Sequence, residues 1–268
     1  EDGFNIKADG NIEIYGSVGR CNIEAGGDIV ISQGVMGRDE CEITSTKSVW
    51  ARFIQNAKVT AEEYVVVNDN IMNSEVTAMK KIVLKGKRAQ IIGGHLFATE
   101  EISAKNIGSS GGGIETNLAV GYDPRKKKRL EELQEMQSDL VKQLEEVDLN
   151  IQTLENNKKV RRSLPKEKEE SLNNFHQQKL ELVEQNDTMT KEIDEINERL
   201  RELKVVGCVN ASGSVYPGVK IYVRDVMDEV RSETKQVTFF YDGGFVKRGK
   251  FDPSQVSDVG APDGYSAN

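Results

Sequence analysis

From Phe4 to Gly121 aliphatic and polar residues alternate in short runs, and the runs repeat. Ile6-x-Ala8-x-x-x-Ile12-x-Ile14-x-x-x-Val18 aligns with Ile23-x-Ala25-x-x-x-Ile29-x-Ile31-x-x-x-Val35, and further copies begin at Ile43, Val59, Val76 and, more loosely, Leu96. The starts lie roughly 16 to 20 residues apart, near the short end of the periods seen in repeat architectures. A period of two sends alternate side chains to opposite faces, the mark of a half-buried strand. No helical period separates the runs, which excludes helical crossovers between parallel strands. The economical fold for residues 1–121 is therefore a parallel β-helix, each rung stacked on the last with aliphatic ladders filling a narrow interior. A small residue stands two places after each leading aliphatic (Ala8, Ala25, Ser45, Ala61, Ala78, Ala98), which predicts a corner too tight for a large side chain. Asp9-Gly10-Asn11, Gly26-Gly27-Asp28 and Asn68-Asp69-Asn70 read as turns that need either positive φ or local side-chain hydrogen bonds.

The pattern changes near residue 122. Asp123-Pro124 is a helix start, an N-cap acceptor followed by proline at the first helical position. Thereafter Leu130, Leu133, Gln137, Leu140, Leu144, Val147, Ile151 and Leu154 keep a strict three-four spacing. A second series runs Leu172, Phe175, Lys179, Leu182, Asn186, Met189, Ile193, Ile196, Leu200 and Leu203. Both predict coiled-coil helices. Asn156-Asn157-Lys158-Lys159 and Ser163-Leu164-Pro165 read as a stop and a restart, so residues 122–204 form a long antiparallel hairpin. Gln137, Lys179 and Asn186 interrupt the apolar seam and read as residues that fix its register.

After the hairpin, Val209-x-Ala211-x-Gly213-x-Val215-x-x-Gly218-Val219-x-Ile221 returns to the rung pattern, so residues 205–251 resume the β-helix. Val237 to Tyr241 reads as a strand, Asp242-Gly243-Gly244 as a turn and Phe245-Val246 as the return. Residues 252–268 are rich in Pro, Gly, Ser and Asp and read as a disordered tail. The fold class is mainly β with inserted α.

Composition narrows the function. With 37% hydrophobic and 30% charged residues, the chain carries much surface per unit of core. A net charge of −8 argues against general nucleic-acid binding, which needs a basic face. The three cysteines, Cys21, Cys41 and Cys208, form no C-x-x-C or Cys/His cluster, so no zinc site or disulfide framework is expected and a reducing compartment fits best. No apolar run reaches the roughly 18 residues that cross a bilayer, and no signal peptide is visible. The chain opens at Glu1-Asp2-Gly3 already inside the repeat and reads as an excised fragment.

Several segments resemble the flagellar assembly protein A (FapA) family: Gly93-Gly94-His95-Leu96-x-Ala98, Ile102-x-Ala104-Lys105-Asn106-Ile107-Gly108-Ser109, Thr116-x-Leu118-x-Val120-Gly121-x-x-Pro124 and Val215-Tyr216-Pro217-Gly218-Val219-x-Ile221. The order of β-repeats, coiled coil and Tyr-Pro-Gly segment matches as well, so the resemblance covers most of the chain. It implies a right-handed β-helix in a cytoplasmic bacterial protein linked to flagellar assembly or placement, with no catalytic residues to carry over.

The residues offer few sites. His95 is the one histidine of the β-region, and a hexapeptide-repeat acyltransferase would use such a residue as general base. The later copies drift from six-residue spacing and His95 follows two glycines, so it reads as structural or exposed; His176 on the coiled coil reads as solvated. Asp28, Glu62, Glu63 and Asp69 occupy different rung positions, whereas glycoside cleavage needs two converging carboxylates. The remaining candidates are basic. Arg125, Lys126, Lys127, Lys128 and Arg129 crowd the first turns of a helix against its dipole, offset either by Glu195, Glu198 and Glu202 across the hairpin or by an anionic partner. At the tip, Lys158, Lys159, Arg161 and Arg162 (with Lys166 and Lys168) are placed for partner recognition. The expectation is a non-enzymatic scaffold with no cofactor and no metal. Its partners would be proteins or further copies of the chain, with nucleic acid or an anionic membrane surface as less favoured alternatives. A polymerising scaffold of the bactofilin type and the acyltransferase are the rivals.

Overall fold

The computed structural model of the chain describes residues 3–122, 124–161, 165–202, 207–255 and 259–260. The chain divides into two compact units, Glu1–Pro124 with Leu203–Asn268, and Arg125–Glu202.

The first unit is a β-solenoid whose strands stack in three parallel ladders. The first ladder runs through Asn5–Ala8, Asn22–Ala25, Glu42–Ser45 and Lys58–Ala61, then the last residues of Tyr64–Ala78 and of Gln90–Ala98, then Thr116–Val120 and Val219–Val223. Ile6, Ile23, Ile43, Val59, Val76 and Leu96 stack in register along it, so the repeat starts read from the sequence are the stacked positions. The second ladder stacks Ile12, Ile29, Val49, Val65, Ile82, Ile102 and Val209. In the third, Val35, Ile54, Ile71, Ile91, Ile107 and Val215 follow one another. Most of these side chains are fully buried. Parallel neighbours normally require a long crossover; here the other two faces of each turn supply it, so no helix is needed.

Small residues hold the expected corner. Ala25, Ser45, Ala61, Ala78 and Ala98 are all buried and stacked. The turns are built differently from one of the two expected ways. Positive φ is absent from Asp9-Gly10-Asn11, Gly26-Gly27-Asp28 and Asn68-Asp69-Asn70 and falls instead at residues such as Asn56, Asn73 and Gly93, one rung apart at another corner. At Gly26 and Gly27 the requirement is close approach, since an added Cβ would lie 2.3 Å from the Asp9 carbonyl oxygen and 2.2 Å from Asn11 Oδ1. Side chains then bond from rung to rung: Asp28 N–H donates to Asn11 Oδ1 at 2.9 Å, and Ser48 N–H donates to Asp28 Oδ1 at 3.1 Å.

The late end of the solenoid is closed by antiparallel strands. Val226–Glu229 pairs with Val219–Val223, Thr234–Asp242 with Cys208–Val215, and Phe245–Lys250 with Thr234–Asp242. The last two form the expected hairpin, with Asp242 opposite Phe245 and Gly243-Gly244 as its loop. The unstructured tail expected from residue 252 gives way at two places. Pro253–Gln255 forms a 3-10 turn, and Val259 is buried. Residues 256–258 and 261–268 lie outside the described residues.

The helical segment replaces a single corner, between Thr116–Val120 of the first ladder and Cys208–Val215 of the second. Gly207 lies so close to the departing chain that an added Cβ would stand 2.2 Å from Gly121 N. The chain thus leaves and re-enters the solenoid at one point, and the rungs on either side stack directly: Ile102 on Val209, Leu118 on Ile221.

The second unit consists of α1 (Pro124–Arg161) and α2 (Lys166–Glu202). Pro124 is the first helical residue, as expected; its anticipated cap, Asp123, lies outside the described residues. α1 does not stop at Asn156–Asn157 but continues to Arg161. Asparagine in a helix interior costs less than about 1 kcal/mol relative to alanine, too little to end a helix whose apolar face stays covered. Pro165 precedes α2, and its carbonyl accepts from the N–H groups of Lys168 and Glu169. Leu140, Val147, Ile151, Leu172 and Leu182 form a shared core, with Leu144, Leu154, Phe175 and Met189 packed against it.

The polar residues that interrupt the apolar series each have a partner on the other helix. Gln137 Nε2 donates to Asn186 Oδ1 at 3.2 Å and to Thr190 Oγ1 at 3.0 Å, and Lys179 Nζ lies 2.6 Å from Asp148 Oδ1. Polar pairs of this kind trade stability for a unique register. Changing Gln137 and Asn186 together to leucine should raise the melting temperature of the helical unit. It should also broaden the distance distribution between spin labels at Glu132 and Glu195. A distribution as narrow as in the unmodified chain would remove the register role.

Candidate interaction surfaces

The basic cluster sits at the first turns of α1. Lys126 and Lys127 are half-buried, Lys128 and Arg129 are exposed, and the Arg125 side chain lies outside the described residues. Neither Lys126 nor Lys127 is without a partner. Arg129 is held by Glu192 on α2, with Nε 2.9 Å from Oε1 and the second guanidinium nitrogen 3.3 Å from Oε2. Glu132 stands 3.9 Å away. The Glu192 hydrogen bond and charge hold the Arg129 pKa above its ordinary range. The acidic partner of Arg129 on α2 is therefore Glu192, which stands one helical turn before the expected group of Glu195, Glu198 and Glu202.

At the other end of α1, Lys158 Nζ lies 3.6 Å from Glu169 Oε1, Lys159 is exposed, and Lys166 and Lys168 are exposed at the start of α2. Arg161 closes α1 with its side chain outside the described residues, and Arg162 lies outside them altogether. His176 is exposed, 3.7 Å from Glu155.

On the solenoid, His95 points outward from the first ladder. It stands in a column of in-register residues, Glu42, Lys58, Glu75, His95, Asn117 and Lys220. Lys58 Nζ meets Glu42 at 2.9 Å, and His95 Nδ1 lies 3.1 Å from Asn117 Nδ2. Opposite charges stacked on adjacent strands support a parallel register. The groove beside this column, about 380 Å³, is lined by Asp39, Cys41, Lys58, Glu75 and His95 among others. Its thiol is a poor nucleophile, because burial pushes the Cys41 pKa up to about 11. Burial and the Glu101 charge do the same to Cys208. Three of the acidic candidates bond to a neighbouring rung: Asp69 pairs with Arg52 at 2.8 Å, Glu63 with Lys80 at 2.9 Å, and Asp28 accepts from Ser48 N–H. Among the described residues no cluster of His, Cys, Asp or Glu could hold a metal ion.

A further surface escaped the sequence reading. On the outer side of the second ladder, Val30, Trp50, Val66 and Val83 stack in register, at positions that strict alternation would make polar. Trp50, Val66 and Val83 form a buried cluster with Val259, and Val30 and Tyr64 pack against it. The signal is present in the sequence. Ile29-Val30-Ile31, Val49-Trp50-Ala51, Val65-Val66-Val67 and Ile82-Val83-Leu84 are unbroken apolar runs, and strands covered on both faces have that composition.

The family model described as the flagellar assembly protein A beta solenoid domain matches residues 1–246. No curated protein and no solved structure matches the chain.

Proposed function

The chain belongs to the flagellar assembly protein A family, and from that premise we propose that it is a non-catalytic, cytoplasmic scaffold that engages protein partners during flagellar assembly or placement. In this reading the solenoid is right-handed, and α1 and α2 form an antiparallel coiled-coil hairpin that presents a docking surface. The observation that carries it is the extent of the family match, which spans the rungs before and after the helices as well as the helices themselves. The cross-helix contacts support the hairpin: Arg129 meets Glu192, Gln137 meets Asn186, and Lys158 meets Glu169, so residues early in α1 face residues late in α2. Among the described residues no helix is long and apolar enough to cross a membrane.

Lys128 and Lys159, exposed at opposite ends of α1, belong to the basic groups on which a partner would act. The polymerising alternative requires rungs of one copy to stack on those of the next. The antiparallel strands that close the late end weigh against that reading.

The test is affinity capture from the native bacterial cell with this chain, beside a version in which residues 123–204 are replaced by a short linker. The expected result is enrichment of a flagellar component by the full chain and its loss without the helices. Enrichment of the same component by both versions would move the docking surface to the solenoid. A full chain that enriches no flagellar component would overturn the proposal.

A further inference from the structure

We propose that the outer side of the second ladder is a peptide-docking surface whose resident occupant is the chain's own C-terminal segment, anchored by Val259. Four observations lead there. The outward column Val30, Trp50, Val66 and Val83 is apolar over four consecutive rungs, where a solvated outer face would carry polar residues. The cluster it forms with Val259 leaves Trp50 4%, Val66 5%, Val83 3% and Val259 8% exposed, so Val259 is a core residue of that surface. Lys85 Nζ donates a hydrogen bond to the Val259 carbonyl oxygen, which fixes the backbone as well as the side chain. Finally, the chain is led toward the column. Phe251 N–H donates to the Gln236 carbonyl oxygen at 2.9 Å. Phe251 and Pro253 then line a groove whose other walls include Val83, Lys85, Ala89 and Ser103.

The chemistry of recognition follows from these contacts. An aliphatic side chain of valine size enters between valines and the indole, and an ammonium group takes the carbonyl of the same residue. Burying an indole and three valines supplies the affinity, and the lysine supplies the placement. Because the occupant is covalently attached to the solenoid, its effective concentration is high, and even a modest intrinsic affinity keeps the surface covered.

Trp50 is the only tryptophan of the chain, so its fluorescence reports this surface alone. In the full chain its emission is expected at short wavelength with weak acrylamide quenching, independent of protein concentration. Val259→Asp should shift the emission to longer wavelength and raise the quenching constant several-fold while the β circular dichroism stays unchanged; Val259→Ile should preserve both signals. An excess of synthetic peptide 251–268 should restore the protected signal of the Val259→Asp chain. Should that variant lose its β signal, Lys85→Gln decides the matter: it removes only an exposed ammonium group and should still raise the quenching. Quenching that is the same in the unmodified, Val259→Asp and Lys85→Gln chains would overturn the proposal. So would protection that disappears on dilution, since the occupant would then be the segment of a second copy.

Discussion

Replacing Ile82 with alanine should lower the stability of the solenoid by about 2–5 kcal/mol. Ile82 is fully buried and stands in the second ladder between Val65 and Ile102. Each neighbour is fixed by parallel backbone pairing to the rungs above and below, so the walls cannot close on the space that three lost carbons leave. The cavity persists, and its cost adds to the lost transfer free energy. In a stack where each rung touches only its neighbours, the damage should also stay local. Hydrogen exchange should quicken first in Tyr64–Ala78, Lys81–Leu84 and Glu101–Ala104, and the helical unit should melt as before. Leu180→Ala, on the exposed side of α2, is the control and should change stability by less than about 0.5 kcal/mol. Urea unfolding followed by circular dichroism gives both values. A loss below about 1 kcal/mol for Ile82→Ala would mean that the ladder is not the close-packed interior described here.

The ladders were legible because stacking copies the same requirement into every turn. An aliphatic followed two places on by a small residue recurs from Ile6 to Ala98, and each recurrence proved to be one position in one ladder. The helical seam was legible for a similar reason: its apolar residues return every three or four positions, and the core they build contains Leu140, Val147, Ile151, Leu172 and Leu182. What the sequence hid was anything fixed by pairing between distant elements. Arg129 had several glutamates within plausible reach, and only the register of α1 on α2 selects Glu192. The end of α1 was misplaced because asparagine is a weak breaker, and the flanking contacts, not the residue, decide.

The outer column was missed for another reason. Val30, Trp50, Val66 and Val83 sit inside runs that look like ordinary strand cores, and the alternation of each copy's leading residues says nothing of these later strands. Residues 252–268 read as unstructured because their composition is polar, and among the described ones it is Val259 that joins the cluster. The scattered apolar residues of residues 252–268, such as Val256, Val259 and Tyr265, carry no periodicity, so no window of sequence singles out Val259. Candidate chemistry was easier to judge. His95 lies in a column of outward residues whose side chains pair along the stack.

Changing Lys81 to methionine should destabilise the solenoid by about 3–5 kcal/mol. Lys81 Nζ lies 3.6 Å from Glu101 Oε2 and 3.5 Å from Glu100 Oε2, and the Glu101 side chain is only 4% exposed. Glu101 Oε1 also accepts a hydrogen bond from Asn210 Nδ2 at 2.9 Å, and Asn210 Oδ1 accepts one from Thr238 Oγ1 at 2.8 Å. This polar chain joins the rungs that precede the helical insertion to the rung that follows it and to the closing antiparallel strand. Without the ammonium group, a carboxylate is left in a dry site with an amide as its remaining partner, and desolvation is no longer offset. Glu101→Gln keeps an acceptor for Asn210 and removes the charge, so it should be milder. In the double variant Lys81→Met with Glu101→Gln, most of the loss should be recovered, since neither charge is then buried alone. Urea midpoints of the three variants measure the coupling directly. A double variant as unstable as Lys81→Met alone would show that packing of the lysine stem, and not the ion pair, holds these rungs together.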